Sequence, residues 1–245
     1  MDILHYVVGS EAHRASFPTT HWSRLRAGGD AEREALDALA RAYWWPIHAY
    51  LRAALRRSPD DAGDLAQDFF LWVAESGFLA KADPERGRFR AFLKTALRNY
   101  VSDADRRERA AKRGGAARHV PLAPDEREPP EIEDRASRTP DEALDAAWRA
   151  ETIRRAIDRT RRELEGSGRE LTFAVFRDYF LDPAREVDYG AVAERHGITT
   201  VDVSNHLQRA KRLYREQLRA VVMEGVGSAE DLEEELAWLL GGRPR

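Results

Sequence analysis

The chain has 245 residues, 40 of them basic and 43 acidic, and a formal net charge of −3. It contains no cysteine, which excludes a disulfide scaffold and thiolate metal sites and fits a reducing compartment. With 34% charged residues, a mean hydropathy of −0.63 and no apolar run near the roughly 18 residues of a membrane span, a soluble, cytoplasmic, helical chain is expected. The start, MDILHYVVGSEAHR, lacks a basic region followed by a long apolar core, so it does not read as a secretion signal.

Taken in chain order, residues 31–57 read as one helix with Leu36, Leu39, Tyr43, Ile47, Tyr50, Leu51 and Leu55 on one face. Pro46 is placed to kink it. Ser58-Pro59-Asp60 breaks the pattern, and a second helix is expected over about 61–75, closed by Gly77. Its apolar stripe is Leu65, Phe69, Trp72 and Val73, while Asp64, Gln67, Asp68 and Leu71 lie off it. That off-stripe mixture suits either a plain solvated face or a protein-docking face. Residues 82–87 form a turn-rich loop. A third helix, 88–113, starts with Phe89, Phe92, Leu93, Ala96, Leu97 and Tyr100 and then becomes highly polar.

Residues 114–140 hold two glycines, five prolines and an acidic excess, a composition that suits a linker rather than a packed element. Helices are expected over 141–165 and 170–181, the second with Leu171, Val175, Phe176, Tyr179 and Phe180 inward. From Val221 the chain closes on an acidic amphipathic helix capped by Ser228. No segment alternates like a strand, so the fold class is all-α.

The nearly neutral net charge hides strong segregation. Residues 86–113 carry ten basic against three acidic side chains, and 204–219 carry five against one. Residues 119–135 hold six acidic and two basic, and 228–237 hold five acidic and none basic. Local fields of this kind select partners.

The most informative stretch is 189–212, YGAVAERHGITTVDVSNHLQRAKR, which reads as a helix-turn-helix. Ala193 is small enough for a close crossing, and Gly197 suits a left-handed helix end. Thr199 can cap the next helix, with Asp202 completing a capping box. Val203, Leu207, Ala210 and Tyr214 then face inward, leaving Thr200, Val201, Ser204, Asn205, Gln208, Lys211 and Arg212 outward. Short polar groups backed by basic ones suit base edges and phosphates of duplex DNA. In 88–113, Arg90, Lys94 and Arg98 interleave with Phe92 and Tyr100, beside Asn99. Such a face either is simply solvated or serves a single strand by phosphate attraction and base stacking.

The seven histidines show no metal-ligand spacing, and Gly114-Gly115 lacks the lysine and hydroxyl residue of a phosphate loop. No nucleophile, base and orienting group are brought together by spacing. Neither an enzyme, nor a metal, nor a cofactor is expected.

Together these pieces resemble the extracytoplasmic-function group of bacterial RNA polymerase sigma factors. DAGDLAQDFFLWV (61–73) is similar to the family helix that docks on the clamp helices of the polymerase's largest subunit. FRAFLKTALRNYVSDADRR (89–107) is similar to the helix that handles the −10 element, and 189–212 resembles the domain that reads the −35 element. SFPTTHWS (16–23), followed by YWWP and DPERGRFR, resembles one subgroup with this N-terminal signature. The resemblance covers roughly 17–222.

It implies polymerase contacts at Asp64, Gln67, Asp68 and Phe69. It implies −10 contacts at Arg88, Arg90, Lys94, Arg98, Asn99 and Asp103, with loop residues 83–88. It implies −35 contacts at Thr200, Ser204, Asn205, Gln208, Lys211 and Arg212. The implied organisation is an extension (1–19), a first domain (20–113), an acidic linker (114–140) that mimics nucleic acid, a second domain (141–222) and an acidic C-terminal helix (223–245). An anti-sigma factor or a kinase is a further partner class, and no membrane contact is implied. Gly63 departs from the family's usual acid, and Ser204, Asn205 and His206 stand where basic residues are common, so base preference does not transfer. Read without the resemblance, the same residues admit a free-standing helix-turn-helix regulator that binds duplex DNA alone, or an adaptor whose two domains bind proteins.

Overall fold

The computed structural model describes residues 30–76, 89–111, 138–182, 188–226 and 228–241. These form eight helices and no strand: α1 (Asp30–Leu55), α2 (Pro59–Glu75), α3 (Phe89–Ala111), α4 (Pro140–Gly166), α5 (Glu170–Phe180), α6 (Tyr189–His196), α7 (Thr200–Met223) and α8 (Ala229–Leu239). The all-α expectation holds among the described residues, and the helix bounds lie close to those the periodicity suggests. No described helix is long and apolar enough to cross a membrane.

The described chain divides into two compact units. Among the described residues, one comprises those of 30–151 with 224–231, and the other those of 152–223 with 232–241. The division falls inside α4, so the first turns of that helix, assigned by sequence to the second domain, group with α1 to α3. The extension, the FPTTHWS motif, the loop 83–88 and most of the segment 114–140 lie outside the described residues.

In the first unit α1 packs against both α2 and α3. Helix α1 continues through Pro46 and buries Leu39, Tyr43, Ile47, Tyr50 and Leu51. Helix α2 starts where Ser58 Oγ accepts from the Asp61 N–H at 3.1 Å and Pro59 occupies the first helical position. Its buried stripe is Ala62, Ala66, Phe69, Phe70 and Val73. Aromatic rings join the three helices: Tyr43 meets Phe89 at 5.2 Å, Trp44 stacks on Phe70 at 6.0 Å, and Phe69 meets Tyr100 edge-on at 5.3 Å. Leu144, Ala147 and Trp148 are the buried apolar residues of α4 in this unit, with Glu151 also buried.

In the second unit α5, α6 and α7 pack on one another. Val175, Val192, Ala193, Val203 and Leu207 form the shared core, flanked by Tyr179, Phe180, Tyr189 and Ile198. Leu171, expected inward, is 38% exposed, while Thr172 and Phe173 are buried instead. Leu171 lies in the first turn of α5, one turn ahead of Val175 and two ahead of Asp178, the buried residues on its own face. From Leu232 onward the acidic tail belongs to this unit, where Arg219 pairs with Glu233 at 2.7 Å and Leu232, Leu236 and Leu239 are buried. Its helix is capped as expected, with Ser228 Oγ accepting from the Asp231 N–H at 3.1 Å.

Two glycines illustrate opposite backbone demands. Gly197 has φ +63°, and its N–H and that of Ile198 reach back to the carbonyls of Glu194 and Ala193 at 3.3 and 3.0 Å. That double bond pattern ends α6 and requires the left-handed residue. Gly63 sits inside α2, and a Cβ there meets nothing within 4 Å. The same substitution therefore has opposite signs. Gly63→Ala should stabilise the protein by roughly 1 kcal/mol, and Gly197→Ala should destabilise it by about as much, read from urea unfolding midpoints.

Candidate nucleic-acid interface

Helix α7 offers the first candidate face. Its start is fixed by a reciprocal cap: the Asp202 N–H donates to Thr199 Oγ1 at 3.1 Å, and the Thr199 N–H donates to Asp202 Oδ2 at 3.1 Å. The Thr199 side-chain and backbone donors hold the Asp202 carboxyl below the usual aspartate range. Val203, Leu207, Ala210 and Tyr214 are buried, as their spacing suggests. Thr200, Val201, Asn205, Gln208 and Arg212 are exposed, and Ser204 is half-buried. Val201 is 67% exposed, unusual for an apolar side chain, and lies in the first turn.

Two residues differ from the sequence reading. Lys211 was placed outward, but its ammonium lies 5.0 Å above the Phe180 ring. Burial, then the neighbouring Arg215, pushes its pKa below the usual lysine value. The aromatic ring of α5 draws this side chain inward, which no feature of α7 alone shows. Arg209, absent from the outward set read from the sequence, is exposed one turn from Asn205 and beside Gln208. Helical spacing from Asn205 and Arg212 is the signal that finds it. His206 faces α5, with Nδ1 2.9 Å from Thr172 Oγ1. Burial first, then the charge of Arg209, lowers its pKa and favours the neutral ring.

The platform beneath α7 is held by a buried carboxylate. Asp178 of α5 accepts from Arg177 at 2.9 Å and from Arg195 of α6 at 3.0 Å, and His196 Nε2 lies 3.0 Å from it. Burial acts to raise its pKa. The hydrogen bonds from Arg195, Arg177 and His196 together outweigh it, leaving the carboxyl below the usual range.

Helix α3 carries the second candidate face. Phe89, Leu93, Ala96, Leu97 and Tyr100 are buried, and Phe92 is half-buried. Asn99 and Asp103 are exposed, the latter 3.5 Å from Arg106. The three upstream cations are engaged within the chain. Arg90 is buried, pairs with Asp145 of α4, and lies 4.8 Å over the Trp148 ring. Lys94 pairs with Asp145 at 2.7 Å, and Arg98 with Asp141 at 2.5 Å. Arg98 also hydrogen-bonds to Tyr50, whose pKa rises through burial and then the charge of Asp141. Arg88 lies outside the described residues.

On α2, Asp64 is exposed, and Gln67 and Asp68 are half-buried. Phe69, assigned by resemblance to a partner contact, is fully buried against Tyr100 and Phe70. It is a core residue, and a rigid partner cannot reach it. No acidic or histidine cluster able to hold a metal ion occurs among the described residues.

Asp178→Asn should lower stability by about 2 kcal/mol at pH 7, because a buried charged acceptor loses its ionic partners. A carboxyl held below its ordinary pKa contributes stability above that ordinary value and loses it as pH falls through the folded value. The gap between native and variant proteins in urea unfolding should therefore be full at pH 7 and close below pH about 3.9. A gap that persists unchanged at low pH would show that Asp178 acts by packing alone.

Comparison with known protein families, curated proteins and solved structures gives no match to this chain.

Proposed function

We propose that the chain is a specificity subunit of RNA polymerase, of the extracytoplasmic-function sigma type, which binds core enzyme, reads two promoter elements and promotes melting. The observation that carries this reading is the exposed face of α7. Val201, Asn205, Gln208, Arg209 and Arg212 are exposed over three turns that follow a tight, capped connection from α6. A helix that enters a major groove reads bases with its N-terminal residues and meets phosphates with its basic ones. Asn205 and Gln208 suit adenine edges, and Val201 suits a thymine methyl.

The resemblance supplies the rest. Asn99, exposed on α3, is the proposed contact to an unpaired −10 base, and binding that base and its strand offsets lost pairing. Asp64, Gln67 and Asp68 remain the proposed polymerase contacts; the burial of Phe69 removes it from that set. Melting in this scheme needs no catalytic group.

The test is run-off transcription with purified core polymerase and a promoter library. Specific initiation above core enzyme alone is the expected result, and its absence overturns the proposal. Tight operator binding by the isolated chain, with no effect on transcription start, would instead favour a free-standing regulator. Asn99→Ala should lower open-complex formation about tenfold or more while leaving core binding within about twofold, consistent with loss of one stacked or hydrogen-bonded base. Gln208→Ala should change the preferred base at one −35 position, read by sequencing the initiating templates.

A further inference from the structure

The three upstream cations of α3 already hold anions. Arg90, Lys94 and Arg98 recur every four residues, so they rise in a stripe at intervals of roughly 6 Å. Asp141 and Asp145 of α4 share the same four-residue interval. The two rows meet in register: Arg98 takes Asp141, Arg90 takes Asp145, and Lys94 lies between them, 2.7 Å from Asp145 and 4.0 Å from Asp141. A row of carboxylates spaced along a helix, facing a row of cations, presents the same charge pattern as successive phosphates on a strand.

We propose that the Arg90–Lys94–Arg98 stripe is a binding site for the phosphodiester backbone of a single nucleic-acid strand, and that Asp141 and Asp145 occupy it as internal competitors in the isolated chain. The inference rests on the reading of α3 as the strand-binding helix. The Arg98–Asp141 pair is poorly placed to serve stability alone. Arg98 is 58% exposed at its side chain and Asp141 is 35% exposed, a setting in which an ion pair contributes little net free energy. Burial of Leu144, Ala147 and Trp148 already anchors this part of α4. The start of α4 is independently fixed by Thr139 and Glu142, whose side chains cap each other's backbone N–H groups at 3.3 and 2.8 Å.

The site is graded from one end to the other. Arg98 can exchange its carboxylate for a phosphate by side-chain rotation, because both members of that pair reach solvent. Arg90 is covered, with its guanidinium against Trp148, so a strand reaches it only as the first turns of α4 lift. Strand binding therefore begins at Arg98 and proceeds toward Arg90. The competition keeps the isolated chain weak on nucleic acid.

The test is fluorescence anisotropy of a labelled oligothymidylate of about 15 nucleotides with the full chain at low salt. Asp141→Asn with Asp145→Asn should tighten binding about tenfold, and adding Arg98→Ala should reverse most of that gain. A charge-matched control, Glu75→Gln with Glu165→Gln at exposed positions, should change binding less than about twofold. Asp141→Asn alone, which leaves Arg90 and its aspartate paired, should tighten binding about threefold and serves if the double variant fails to fold. If the aspartate variants bind no more tightly than the control, while Arg98→Ala weakens the native protein, the competition is wrong and the strand-binding reading of α3 stands. If no variant binds the oligonucleotide, both fall together.

Discussion

A charge taken out of water must find a partner inside the protein, and in this chain that constraint decides which basic residues remain turned toward solvent. The sequence holds 40 basic and 43 acidic side chains, enough of each to neutralise almost anything locally. Asp178 shows the constraint at its strictest. Its carboxylate is buried, so Arg177, Arg195 and His196 converge on it, and in doing so they tie α5 to α6. With that joint set and the Gly197 connection closed, the orientation of α7 against both helices follows from apolar packing.

The same constraint sorts the proposed interface. On α7, the inner row is apolar and the outer row carries Asn205, Gln208, Arg209 and Arg212, while Lys211 leans onto an aromatic ring. On α3, Arg90, Lys94 and Arg98 are matched by carboxylates, and Asn99 faces solvent. A promoter reader built this way would rely on few direct base contacts and on shared phosphate attraction. That arrangement suits a chain of low net charge whose binding is completed on a larger enzyme.

Much of this was legible from the sequence because it is local. Periodicity placed 141–165 where α4 runs from Pro140 to Gly166, and the Thr199–Asp202 cap and the Gly197 helix end follow from residues within one turn. What was not legible depends on a second element. Leu65 and Phe69 share a stripe by spacing, yet α2 rotates so that Ala62, Ala66 and Phe70 complete the buried face. Phe69 keeps the inward place its spacing gives it, against Tyr100, and only the partner contact implied by resemblance is lost. Lys211 looks like a phosphate contact until Phe180 is placed beside it. The pairing of Arg90 with Asp145 joins residues 55 apart, beyond the reach of any local pattern. Arg209 is within reach of a local pattern, since its spacing from Asn205 puts it on the same exposed face.

The central claim is that two separate faces of the chain read two DNA elements at once, held in fixed relation by polymerase. The most direct measurement is initiation on a responsive promoter as the spacer between the two elements is lengthened by about five base pairs, half a helical turn. The account predicts that this insertion abolishes initiation although both elements stay intact. Initiation that continues unchanged with the longer spacer would contradict it.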